Sequence, residues 1–315
     1  MSDLPASISL REVGPRDGLQ NEDPVPTPAK IALIDRLGQT GVSRIEAVSF
    51  VRADAIPQMA DADEVWAGVA RVPTVRYSAL APNLRGARRA LDAGFTEVEV
   101  VVSASDTHNR KNVNRSTEQS LDEIAVVIDE AHRRGATCQV IVSTAWGCPY
   151  EGDVPVDRVL WAAGRAVADG ADTVSFGDTT GMATPRRVRD LVGGFRSRYP
   201  DTPLNLHFHN TRGTGLANVL AALELGVDDF DASVGGLGGC PYAPGATGNI
   251  ATEELVHMVE DMGVATGVDL DAMIDAAAQA ERIVGRELPS QVLRAGPRTR
   301  TIPASGVPEV QSPRG

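Results

Sequence analysis

The chain has 315 residues, 42% of them apolar, and a formal net charge of −12. That length can bury a large core, as one big α/β domain or two smaller ones. The acidic balance argues against a nucleic-acid or anionic-membrane surface, since both need a basic patch.

Short strand-like runs alternate with helix-like runs along the chain. Strands are expected at 7–13, 42–48, 75–80, 97–102, 136–142, 171–176, 204–209 and 227–233. Thr27-Pro28 reads as a helix N-cap followed by proline at the first helical position, and Thr184-Pro185 repeats the device. Ser116-Thr117-Glu118-Gln119 opens another helix. Glycine at the helix ends suits a left-handed cap before the next strand. About eight such units in about 250 residues predict a parallel (β/α)8 TIM barrel over 1–268. An open doubly wound sheet is the alternative, but GPRDG rather than GxGxxG follows the first strand. A C-terminal helical extension at 269–294 is expected to cap one end, and 295–315, rich in Pro, Gly, Ser and Arg, reads as a disordered tail.

The N-terminus lacks a basic region followed by an apolar one, so no signal peptide is expected. No apolar run reaches membrane-spanning length. Three cysteines, Cys138, Cys148 and Cys240, suit neither a disulfide framework nor a zinc ribbon. A reducing, cytoplasmic setting follows as the expectation. Cys148, in GCPYEG, is expected to pack in the core.

In such barrels the chemistry sits at the C-terminal ends of the strands. Arg16 and Asp17 follow strand one, and Glu46 lies in strand two. Asp178 follows strand six. Strand seven ends in His207-Phe208-His209-Asn210. After strand eight comes GLGGCPYAPGATGN at 236–249, which holds Cys240 and ends at Asn249. Residues two apart on a strand share a face. Asn205, His207 and His209 therefore point one way, into the barrel mouth, and Leu204, Leu206 and Phe208 point the other. Two imidazoles side by side are naturally reconciled by a shared cation, and Asp17 and Asn249 offer further oxygen ligands. Such a mixed nitrogen and oxygen set suits Mg²⁺, Mn²⁺ or Co²⁺ more than structural zinc. Asn249 also suits the N-cap of a helix starting near Ala251, Asp17 suits a turn, and Cys240 can be read as an incidental thiol on a surface turn.

The motifs GPRDGLQNE (14–22), IEAVSF (45–50), PQMAD (57–61), APNLRG (81–86), GCPYEG (147–152), GDTTG (177–181), HFHN (207–210) and the Cys240 loop resemble the 3-hydroxy-3-methylglutaryl-CoA lyase family. This is one branch of the metal-dependent lyase and synthase barrels, and the likeness runs over about 7–285. It implies Asp17, His207, His209 and Asn249 as ligands of a divalent metal, Mg²⁺ or Mn²⁺. It implies Arg16 at the developing enolate, with Gln20 beside it in the substrate site. It also implies Glu46 in proton traffic, His207 or a water it orders as base, Cys240 as an acid/base group, and Asp178 orienting the substrate hydroxyl or a ligand histidine. An acyl-CoA substrate, leucine breakdown and a homodimer come with the resemblance.

There are departures. Asp23 stands where a lysine often follows QNE, and HFHN replaces HCHD. The segment SASDTHNRKNVN (103–114) has Asp106 for a glutamate and Thr107-His108 in an apolar-aromatic region. Arg110, Lys111 and Arg115 form a basic cluster that either meets CoA phosphates or the substrate carboxylate, or is a solvated loop-helix junction. Three other readings stand beside the first: a lyase for another branched 3-hydroxyacyl-CoA, a Claisen-type synthase, and a catalytically silent barrel that binds CoA or metal.

Overall fold

The structure, a computed structural model, describes residues 4–239 and 247–301. Eight parallel strands close into a barrel in chain order: β1 (Ser9–Glu12), β2 (Arg44–Ser49), β3 (Arg76–Leu80), β4 (Glu97–Ser103), β5 (Thr137–Ser143), β6 (Thr173–Gly177), β7 (Leu204–His207) and β8 (Asp229–Ala232). Closure is made by β1 on β8, with Arg11 level with Asp231. Each strand is followed by a helix, as the TIM barrel expected from the alternation requires, and the open-sheet alternative falls. A short helix, Asp106–Val113, is added after β4. Beyond the eighth unit, Leu270–Val284 buries Met273, Ala276, Ala277 and Ala280, and Gln291–Ala295 follows.

The apolar core lies between strands and helices. Phe176, Phe195, Phe208 and Phe230 are all buried there, with the rings of Phe176 and Phe195 set edge to face at 5.3 Å. Inside the barrel the filling is ionic rather than aliphatic. Arg44 meets Asp229 at 2.6 Å, Glu97 at 3.1 Å and the Gln139 side chain at 3.2 Å. Arg11, level with Arg44 on the neighbouring strand, grips Asp231 through two hydrogen bonds, of 2.9 and 2.7 Å, and pairs with Glu99 at 2.5 Å.

Three local expectations need correction. Strand seven stops at His207, not His209, because His209 leaves the ladder to bridge to Asn249. Thr27 is the first helical residue and not a cap: its hydroxyl donates to Asp61 at 2.6 Å. Asn249 does not cap the helix Thr252–Asp261; Ala251 stands there. Thr184 is the N-cap of Pro185–Arg198, although its side chain makes no capping bond. Ser116 does more than open its helix. Its hydroxyl accepts from the Gln119 N–H while the Gln119 side chain accepts from the Ser116 N–H.

Replacing Ser116 with Ala therefore costs about 1 kcal/mol in denaturant unfolding. The same change at Thr184 costs clearly less, because no capping bond is lost; equal losses would contradict this reading of the two helix starts.

Candidate active site

The turn after β1 places two charged side chains side by side. Residues Gly14–Gly18 wind into one wide helical turn, in which the Val13 carbonyl accepts from the N–H groups of Arg16, Asp17 and Gly18. Arg16 and Asp17 then share the mouth. The Arg16 guanidinium donates to Asp17 Oδ1 at 2.8 Å and pairs with Glu46 Oε2 at 2.7 Å. Gln20 donates to the same Asp17 oxygen at 2.8 Å, and Asn249 Nδ2 donates to Asp17 Oδ2 at 2.9 Å. Burial alone raises the Asp17 carboxyl, but Arg16, His207 and His209 outweigh it and hold it at about 2.

The two histidines meet across 3.1 Å, Nε2 to Nε2. Nδ1 of His207 lies 3.2 Å from Asp231 Oδ2. Burial disfavours the His207 imidazolium, yet the Asp231 hydrogen bond and the charges of Asp17 and Asp231 raise it above its ordinary value. Burial and the neighbouring His207 push His209 down to about 3. A proton shared between the two ring nitrogens, from His207, whose value is raised, to His209, whose value is lowered, would satisfy both.

The same atoms suit a cation. Ligand atoms of Asp17, His207 and His209 all lie within 4.8 Å of one another. Asn249 Oδ1 is buried without a hydrogen-bond partner among the described residues, while its Nδ2 is spent on Asp17 and the Leu237 carbonyl. Two imidazole nitrogens, a carboxylate and an orphaned amide oxygen fit a divalent ion of intermediate hardness. Gly238 makes the close approach possible: its φ is +114°, and a Cβ there would stand 2.8 Å from Asn249 Nδ2.

Arg16, Asp17, His207 and His209 line a cavity of about 390 Å³. Val51, Ile56, Leu80 and Ile141 make an apolar wall, and Gln20, His108 and Asn112 also line it. Glu46 is fully buried under Arg16. Burial drives its carboxyl well above the ordinary range, against the pull of Arg16 and with the help of Glu99. Asp178 is buried beside the cavity. Its Oδ1 accepts from the N–H groups of Met182 and Ala183 at 2.8 and 3.0 Å, and the His209 N–H also bonds to its carboxylate. It shapes the backbone that carries a histidine, and burial pushes it up to about 7.

Arg110 and Lys111 are exposed on the helix that also carries His108 and Asn112, and neither lines the cavity; Arg110 pairs with Asp106 at 2.8 Å. Arg115 pairs with Glu123. Cys240 lies outside the described residues. Cys148 is buried and reduced, within 3.0 Å of the Ser105 hydroxyl, which agrees with a packing role.

Sequence reasoning missed Asp231, Arg11 and Glu99. Each sits at an inward position of its strand, but charges at alternate positions of SLRE, EVEVVVS and DFDA become interior only when the sheet closes.

A family model described as HMGL-like matches residues 7–279. Hydroxymethylglutaryl-CoA lyase YngG of Bacillus subtilis is 45% identical over 92% of the chain and 97% of its own length. The cytoplasmic 3-hydroxy-3-methylglutaryl-CoA lyase of Rattus norvegicus is 42% identical over 95% of the chain and 88% of its own. Among solved structures, the B. subtilis HMG-CoA lyase superposes with a TM-score of 0.91, at 45% identity over 93% and 98% of the two chains. An Acinetobacter baumannii HMG-CoA lyase in complex with coenzyme A and 3-methylmalate gives a TM-score of 0.90, at 43% identity over 96% and 99%.

Binding of Mn²⁺ at this cluster displaces the proton between the histidines, whereas Asp17 is already ionised. Affinity therefore falls as pH drops below the raised His207 value, by up to about tenfold per pH unit. Titrating Mn²⁺ by electron paramagnetic resonance at pH 8 and pH 6 checks this, and equal affinities would contradict the shared proton.

Proposed function

This chain belongs to the HMGL-like family and is a carbon–carbon lyase; we propose that it cleaves 3-hydroxy-3-methylglutaryl-CoA to acetyl-CoA and acetoacetate by a divalent-metal-dependent retro-Claisen reaction. The observation that carries this reading is the Asp17–His207–His209 cluster set beside Arg16 at the polar end of one part-apolar cavity. A hydroxyacyl thioester needs both ends: polar ligands for its hydroxyl and carboxylate, and an apolar wall for its methyl group and chain.

Asp17, His207, His209 and Asn249 would hold the cation, which supplies Lewis acidity towards the substrate hydroxyl and carboxylate and lowers the hydroxyl pKa. With Nδ1–H turned to Asp231 and Nε2 given to the cation, His207 has no free lone pair, so the water it orders takes the hydroxyl proton. The C2–C3 bond then breaks, and its electron pair moves to the thioester carbonyl oxygen of the departing acetyl-CoA. The hydroxyl carbon becomes the ketone of acetoacetate. Arg16 receives the enolate charge; its guanidinium is anchored by Glu46 and Asp17, and its Nε has no hydrogen-bond partner among the described residues. Gln20 lines the same pocket and is bonded to Asp17. Cys240 follows Gly239, which lines the cavity, and delivers the proton that converts the enolate to acetyl-CoA. Glu46 anchors the Arg16 guanidinium from below, and its raised carboxyl is the group given to the proton traffic. Asp178 holds the backbone of His209.

One observation favours a second reading. His108 lines the cavity where an apolar-aromatic residue is usual in the resemblance, and this suits another branched 3-hydroxyacyl-CoA. Arg110 and Lys111, on the same helix, are offered to the CoA phosphates. Mg²⁺ or Mn²⁺ as the metal, a homodimer, a cytoplasmic place, a role in leucine breakdown and a division at 268/269 and 294/295 complete the proposal. No helix among the described residues is long and apolar enough to cross a membrane.

Purified protein with Mg²⁺ and 3-hydroxy-3-methylglutaryl-CoA releases acetoacetate, and EDTA abolishes it. Metal-bound protein that leaves this thioester intact but cleaves a longer branched one would transfer the assignment to the second reading. Arg16→Gln lowers kcat by about 10²–10³ with a smaller change in KM, as expected when a transition-state donor is removed.

A further inference from the structure

We propose that Arg11 and Asp231 are positioning residues for the metal-binding histidines: Arg11 fixes the Asp231 carboxylate, which fixes the His207 ring. The inference rests on the metal reading above. Arg11 and His207 are both level with Asp231 across the neighbouring strands β1, β8 and β7, so the three form one layer of the barrel. The carboxylate is fully used. Its Oδ1 accepts from Arg11 Nε at 2.9 Å and Asn205 Nδ2 at 2.9 Å. Its Oδ2 accepts from Arg11 Nη2 at 2.7 Å and faces His207 Nδ1 at 3.2 Å.

The bidentate fork sets the plane of the carboxylate. That plane directs Oδ2 at Nδ1 and keeps the Nδ1–H tautomer. Nε2 is left facing His209 and the cluster, which is the nitrogen a cation needs. Arg11 is itself completely buried, and its remaining end is fixed by Glu99. Asp231 is 3% exposed and the His207 side chain 14%, on the side that faces the cavity, so the ring is fixed from its buried side.

A structural role alone would look different, and the molecule contains the control. Arg44 is level with Arg11 and likewise buried in ion pairs, and it bonds to Asp229, Glu97 and Gln139 rather than to a carboxylate that faces a histidine. Asp231→Asn, Arg11→Met, Arg11→Lys and Arg44→Met are compared by Mn²⁺ titration, followed by electron paramagnetic resonance and normalised to folded protein. Asp231→Asn and Arg11→Met weaken Mn²⁺ binding by about 10- to 100-fold, the usual loss for an outer-shell partner. Arg11→Lys, which keeps the charge without the fork, falls between them and the parent. Arg44→Met lowers thermal stability but leaves Mn²⁺ affinity at the parent value.

Parent-like Mn²⁺ affinity in Asp231→Asn overturns the proposal, as does an equal loss in Arg44→Met. If Arg11→Met does not fold, the isosteric Asp231→Asn decides. A parent protein that binds no Mn²⁺ overturns the metal reading itself.

Discussion

The Asp231 carboxylate, held on one side by Arg11 and facing His207 on the other, is the constraint around which the barrel interior is arranged. Burying a guanidinium and a carboxylate costs several kcal/mol per ion, and their attraction does little more than offset that cost. Such a pair is a poor source of stability. What it supplies is geometry, because a half-satisfied network in a dry interior is far worse than a complete one. Arg11, Asp231 and Asn205 are joined by hydrogen bonds, Ser175 extends the set by donating to Asn205 at 2.6 Å, and Glu99 joins it as the ion-pair partner of Arg11. Stability comes instead from the aromatic and aliphatic shell between strands and helices. The two tasks are separated in space: an apolar ring makes the fold, and a polar axis aims the site.

The order of elements was readable because each strand is short, apolar on its outward face and bounded by glycine or a helix start. The histidine face was readable for the same reason: parity put Leu204, Leu206 and Phe208 in the core, and all three are buried. Arg11, Glu99 and Asp231 escaped that logic. A strand with charges at alternate positions reads as half-exposed, and only closure of the sheet turns those positions into an interior. Pairing partners such as Arg11 with Asp231 are 220 residues apart. No local pattern encodes a contact of that range. Thr27 shows the opposite failure, since its local signal was a good cap until Asp61 offered its hydroxyl a better partner.

Asn249 shows why the single-role alternatives for a polar residue are not exclusive. It was expected as a metal ligand, with a helix N-cap as the plainer alternative. The chain bridges it to His209, spends its Nδ2 on Asp17 and Leu237, and leaves Oδ1 without a partner among the described residues. An amide oriented by two acceptors has its oxygen direction fixed in advance. Asp17 is fixed likewise by Arg16, Gln20 and Asn249. Little ligand reorganisation would then be required if a cation enters as proposed, because both oxygen groups are already aimed.

Arg16 links this preorganisation to the chemistry. A lysine could neutralise Asp17 or Glu46, but a point charge cannot hold both at 2.8 and 2.7 Å and keep another donor to spare. The fork spans the carboxylate on the metal side and the buried one beneath it. Its own position is therefore over-determined before any substrate arrives. In the proposed reaction, enolate charge beside it would meet a donor that does not have to move, the condition under which electrostatic stabilisation is strongest, and that fixity follows from the packing of β1 and β2 at the mouth.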